Sequence, residues 1–167
     1  MCLVAIIMAC KSPPVIIQDP EEEVQEGVST TFTISQEMYD LTLAEVKQFV
    51  DHLNSLIQHK NYEGWKATLS DEFFERIASP DFLANASEAA ALKSRRIVLR
   101  TPNDYFLQVV VPSRSNSKVD EIEFSDVDRV KVYYREERVR RGESVPEVRR
   151  LRLYELIKID DTWKIID

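Results

Sequence analysis

Apolar residues recur along the first half of this chain every three or four positions and, past residue 100, in runs and alternations of two. That change of period separates a helical half from a sheet half. Leu43, Val46, Phe49, Val50, Leu53, Leu56 and Ile57 share one helical face, so a helix is predicted over 42–60, opened by the capping box Thr42-Leu43-Ala44-Glu45. His52 and His59 fall on its polar side. A short second helix over 62–67 carries Trp65, and Ser70-Asp71-Glu72 caps a third that runs through Phe73, Phe74 and Ile77. Ser79-Pro80 pairs an N-cap residue with proline at the first helical position, which predicts a fourth helix to residue 95.

The second half reads as strands. Tyr105-Phe106-Leu107-Gln108-Val109-Val110-Val111 has the pattern of a buried strand, and Asp120-Glu121-Ile122-Glu123-Phe124 that of a shorter one. Clean alternation from Arg129 through Tyr134 starts a long strand, whose partner is predicted over Glu147 to Ile159. Asp160-Asp161 then turns the chain into Trp163-Lys164-Ile165-Ile166. Helices followed by antiparallel strands define an α+β domain. Upstream, Thr30-Thr31-Phe32-Thr33-Ile34 also has strand composition and is expected to add to a sheet edge.

The amphipathic opening helix, the short helix bearing Trp65, Leu69-Ser70-Asp71-Glu72-Phe73 after it, and the closing hairpin Tyr154-Glu155-Leu156-Ile157-Lys158-Ile159-Asp160-Asp161-Thr162-Trp163-Lys164-Ile165-Ile166 together resemble the nuclear transport factor 2-like (SnoaL-like) superfamily. The resemblance covers residues 42 to 167, and its most diagnostic part is the last strand pair. It implies a curved antiparallel sheet wrapped on helices into a cone, often with an apolar pocket at the open end. It also implies that a homodimer can form through the outer face of the sheet.

The beginning of the chain carries a different signal. The apolar run Cys2-Leu3-Val4-Ala5-Ile6-Ile7-Met8-Ala9 ends at Cys10 and turns polar at Lys11-Ser12. As a helix the run reaches roughly 14 Å, about half a bilayer core, so it is too short to span. It suits the apolar part of a signal peptide, although the charged segment that ordinarily precedes such a run is missing. Ile7-Met8-Ala9-Cys10 resembles the lipobox of bacterial lipoproteins, which implies lipidation of Cys10 and a lipid-anchored membrane protein of the cell envelope, inner or outer membrane left open. Several acyl chains at about 0.8 kcal/mol per buried methylene give stable anchoring where one gives marginal binding. On this reading residues 1–9 are a signal-peptide remnant, 10–38 the lipidated cysteine and a tether, and 39–167 the folded domain. The tether contains Ser12-Pro13-Pro14 and Asp19-Pro20-Glu21-Glu22-Glu23, a composition that stays extended and solvated.

Cysteine usage narrows the chemistry. No cysteine follows Cys10, so the domain has no internal disulfide and no thiolate metal site. Hydrophobic and charged fractions of 44% and 31% fit an ordinary globular core. The formal net charge of −7 speaks against nucleic acid as a partner. That charge is unevenly laid out: residues 129 to 152 hold nine Lys/Arg against four Glu, whereas the rest holds 13 basic against 25 acidic. Arg135, Arg138, Arg140, Arg141, Arg149, Arg150 and Arg152 on the long hairpin are therefore candidates for an anionic envelope partner, a protein or a polymer. The competing reading is a hairpin kept soluble by mixed charge.

No residue pattern indicates catalysis. With two histidines on a polar helix face, three glycines in the chain and no Ser-His-Asp order or metal-ligand cluster, the sequence points to no catalytic residue, no metal and no cofactor. Asp71 and Glu72 are better explained by helix-start electrostatics than as a catalytic pair. Tyr62, Trp65, Phe73, Tyr105, Tyr133 and Tyr154 combine apolar bodies with mostly polar tips, the mixture found in ligand pockets. Core packing is the alternative for each. The expected function is thus a membrane-anchored, non-enzymatic binding or interaction module, with a small-molecule-binding or weakly catalytic cone as the alternative.

Overall fold

The computed structural model of the chain describes residues 33–138 and 147–167. Cys10 and its lipobox, the tether up to residue 32, and Arg140 and Arg141 lie outside the described residues, as does the side chain of Arg138. Thr33 and Ile34 belong to no strand.

Helix α1 spans Gln36–Gln58 and starts well before Thr42. The cap is Ser35, whose hydroxyl accepts the Met38 N–H at 3.1 Å. Both Ser35 and Thr42 are cap-forming residue types; Tyr39 and Leu43 pack on the core, which extends the helix past the second candidate to the first. Val46, Val50, Leu53 and Ile57 form its buried stripe. Two short helices follow as the sequence predicts. α2, Tyr62–Ala67, is capped by Asn61, and α3, Asp71–Ala78, by Ser70, each side chain accepting a backbone N–H of the first turn.

The fourth predicted helix is two. α4, Pro80–Ser87, carries the expected Ser79 cap, but it ends at Ser87, whose buried hydroxyl donates to Leu83 O and accepts the Leu99 N–H. After an extended Ala89, α5 covers Ala90–Ser94. Leu83, Leu92 and Leu99 close a small second core.

Residues 105–111 correct the strand expectation, because they are helical. Thr101 accepts the Asp104 N–H at 3.1 Å while the Asp104 carboxylate accepts the Thr101 N–H at 2.9 Å, a capping box with Pro102 at the first position. Helix α6, Pro102–Tyr105, continues through a π-helical turn, Phe106–Val110, into α7, Val111–Arg114. The segment is apolar on two faces because it separates two cores. Phe106 and Val110 pack into the main core, whereas Val109 faces the small one and Tyr105 touches both. A continuous apolar run does not distinguish such a helix from a buried strand.

Four antiparallel strands complete the α+β domain in the order β1-β2-β3-β4. They are β1, Glu121–Asp126; β2, Arg129–Arg138; β3, Glu147–Ile159; and β4, Thr162–Ile165. The last two join through Asp160 and Asp161, both in the left-handed region with φ 48° and 57°, as a tight hairpin turn requires. Ile122, Val130, Val132, Leu156, Trp163 and Ile165 are buried against the helices. At β2–β3 the register shifts, pairing Val132 with Tyr154 but Tyr133 with Arg152. Leu153 is thereby left as the extra residue of a bulge, and the consecutive Leu153 and Tyr154 are both buried. Beyond β4, the Thr68–Ser70 segment covers the sheet edge: Ile165 N–H donates to Thr68 O and Ser70 N–H to Ile165 O, each at 2.9 Å.

Candidate functional site

The bulge and the helical turn at residues 102–114 frame a cavity of about 90 Å3. Trp65 from α2, Phe73 from α3, Tyr105 from α6 and Tyr154 from β3 all line it, so four of the six aromatic candidates meet at one place. The other two sit elsewhere. Tyr62 packs behind the cavity, 5.9 Å from both the Trp65 and Phe106 rings, and belongs to the main core. Tyr133 lies under Arg150, whose guanidinium is 3.5 Å from its ring centroid, outside the cavity.

Two charged residues that the sequence reading did not single out complete the wall, Arg114 and Asp167. Asp167 is doubly engaged: its carboxylate oxygens accept from Arg76 at 3.0 Å and from Arg152 at 2.6 Å. Arg76 also stacks over Phe73 at 4.8 Å, tying this side of the cavity to α3. Arg114, at the end of α7, stands 5.5 Å from the Tyr154 ring. Burial raises the pKa of Tyr154, against the opposing Ser117 hydrogen bond and Arg114 charge, and burial raises that of Tyr105 likewise. Both phenols therefore stay protonated at neutral pH and act as hydrogen-bonding hydroxyls.

The arginine candidates are mostly engaged within the sheet. Arg135 pairs with Glu121 at 3.2 Å, Arg149 with Glu147 at 3.1 Å, and Arg150 with Glu121 and Glu123 at 3.0 and 2.9 Å. Arg152 bridges Glu155 and Asp167. The Arg150 hydrogen bond, helped by its charge, holds the Glu123 carboxyl below the usual range. Among the described residues no group of three His, Cys, Asp or Glu side chains is placed to hold a metal. His52 and His59 are exposed, away from the cavity. Asp71 and Glu72 occupy the first turn of α3, which the helix dipole favours.

A helix-walled aromatic cavity on an antiparallel sheet places the chain among α+β domains. The chain is 34% identical over 153 residues, 90% of its length and 74% of the relative's, to an uncharacterized lipoprotein of Treponema pallidum (strain Nichols), and it belongs to that protein's family. No family model and no solved structure matches it. No helix among the described residues is long and apolar enough to cross a membrane.

Proposed function

We propose that the protein is an envelope lipoprotein held to its membrane through lipidated Cys10, with an acidic tether ahead of α1 and a non-enzymatic binding module from α1 to residue 167. The observation that carries this reading is the agreement of two independent signals. Ile7-Met8-Ala9-Cys10 has the lipobox pattern, and a family member over nine-tenths of the chain is itself named a lipoprotein. For the module, support comes from the cavity that gathers Trp65, Phe73, Tyr105 and Tyr154 from four separate elements. An antiparallel meander backed by helices, closed by the Asp160-Asp161 hairpin, agrees with a nuclear transport factor 2-like cone.

Growth with radiolabelled palmitate tests the anchor. The intact chain takes up label and partitions with membranes, whereas Cys10→Ala does neither; label and membrane partition unchanged by that substitution would sink the proposal. A second reading, a small-molecule-binding or weakly catalytic cone, draws on the same cavity.

A further inference from the structure

Arg114 lines two adjoining spaces. One is the aromatic cavity, and the other is a polar cleft of about 370 Å3 walled by α7, the loop after it and the base of the β2–β3 hairpin. Leu153 lines both as well. The loop is pinned from behind: Asn54 on α1 donates to Ser117 O at 2.8 Å and accepts the Ser117 N–H at 3.1 Å, and Gln58 donates to Ser115 O at 2.7 Å. At the boundary between the spaces the Tyr154 and Ser117 hydroxyls stand 3.5 Å apart.

Charge distinguishes the two sides of the cavity. On one side the carboxylate of Asp167 already sits between Arg76 and Arg152. On the other, Arg114 is half-buried and forms no ion pair with a carboxylate among the described residues. The cleft's own carboxylate, Asp120, accepts the Arg135 backbone N–H at 2.7 Å, and Lys118 adds a second positive charge. A guanidinium held beside apolar and aromatic walls, with its fork unused, is suited to one planar anion, a carboxylate bound through parallel N–H donors.

We propose that the joined cavity and cleft bind a small amphipathic monocarboxylate, its apolar end against Trp65 and Tyr105 and its carboxylate on Arg114. This rests on the reading of the domain as a binding module and adds the class of ligand. The polar cleft alone, at about 370 Å3, falls in the usual range of small-molecule sites, roughly 300–1,000 Å3. The aromatic part is smaller than the ~150 Å3 that admits benzene, which favours a short alkyl chain over a fused ring.

Hexanoate and its neutral isostere hexanamide are the probes, titrated into the full chain by calorimetry. The wild-type protein binds hexanoate about tenfold more tightly than hexanamide, as one charge-assisted hydrogen-bonded pair provides. Arg114→Gln brings the two affinities together, and Arg114→Lys keeps part of the preference. Equal wild-type affinities, or a preference that survives Arg114→Gln, overturn the assignment of Arg114 and leave the binding module standing. Failure of both probes to bind the wild-type chain overturns the ligand class and counts against the cavity as a binding site. The wild-type comparison needs no variant, so a misfolded substitution cannot shield the proposal.

Discussion

The Glu45 carboxylate accepts a hydrogen bond from the Trp163 indole at 3.2 Å, joining the middle of α1 to the closing strand of the sheet. Lys158 donates to the same oxygen at 2.8 Å and lies over the Trp163 ring. Glu45 thus serves a tertiary contact and not the helix cap that its spacing from Thr42 predicts. The Lys158 hydrogen bond is the largest influence on its pKa and, against partial desolvation and with the help of Trp163, holds it below the ordinary value. A depressed carboxyl pKa contributes stability above the unfolded-state value, about 4.3, and loses it as pH falls through the folded value. Glu45→Gln should therefore lower the melting temperature at pH 7, and the gap from wild type should close as thermal melts are taken below about pH 4. A gap independent of pH would show that the charge of Glu45 contributes nothing.

Gly64 lies inside α2, where alanine would ordinarily stabilise by about 1 kcal/mol. Here a Cβ would approach Leu56 Cδ2 to 2.6 Å and the Asn61 side-chain amide to 2.8 Å. Asn61 is the residue whose oxygen caps this helix by accepting the Gly64 N–H at 3.0 Å. Gly64→Ala must displace the cap or the leucine, and urea unfolding should show a net loss of about 1–3 kcal/mol in place of a gain.

Phe106 is fully buried, with its ring centroid 4.8 Å from that of Trp65 and 5.9 Å from that of Tyr62. Phe106→Ala should cost about 3–5 kcal/mol in chemical denaturation. Leu107, its partly exposed neighbour, should tolerate alanine at under about 1 kcal/mol. A strand over these residues would also bury alternate positions, so Leu107 and Val109 would behave alike; in the helix Val109 packs on the small core and should be the costlier loss.

Thr101→Ala removes one half of the capping box that starts the same helical segment, and should cost about 1 kcal/mol. The Asp104 carboxyl is held below its usual range, first by the Arg100 backbone N–H and then by Thr101. Its contribution is therefore present at neutral pH and lost in acid. An Asp104→Asn variant should accordingly differ from wild type at pH 7 and converge with it as the carboxylate protonates.

Most local structure here was legible from residue type and period. Ser70, Ser79 and Pro80 mark helix starts through hydrogen bonds and φ restrictions made within a few residues. The alternation on both sides of Asp160-Asp161 sets the closing hairpin, and the β3 bounds coincide with those predicted. Such signals depend on neighbours in the chain, which the sequence displays directly. Trp65, Phe73, Tyr105 and Tyr154 were recognisable as candidate pocket aromatics, most with polar tips, although Tyr62 and Tyr133 carried the same marks.

Tertiary structure decided the remainder, because it concerns what a segment packs against. The amino-acid order by itself determined the α+β class, the Ser70 and Ser79 caps, and the pairing of β3 with β2 and β4. The fold kept the apolar run after the Thr101 capping box helical, by packing Phe106 and Val110 on the main core and Val109 on the small one. It also chose Ser35 over Thr42 as the opening cap, through the packing of Tyr39 and Leu43. The cavity follows the same rule: a bulge at Leu153 buries two consecutive side chains, and Asp167 pairs with Arg76 and Arg152 while Arg114 forms no ion pair among the described residues. Such long-range placement of charge and volume leaves no mark in local spacing, because each partner is brought in from a distant part of the chain.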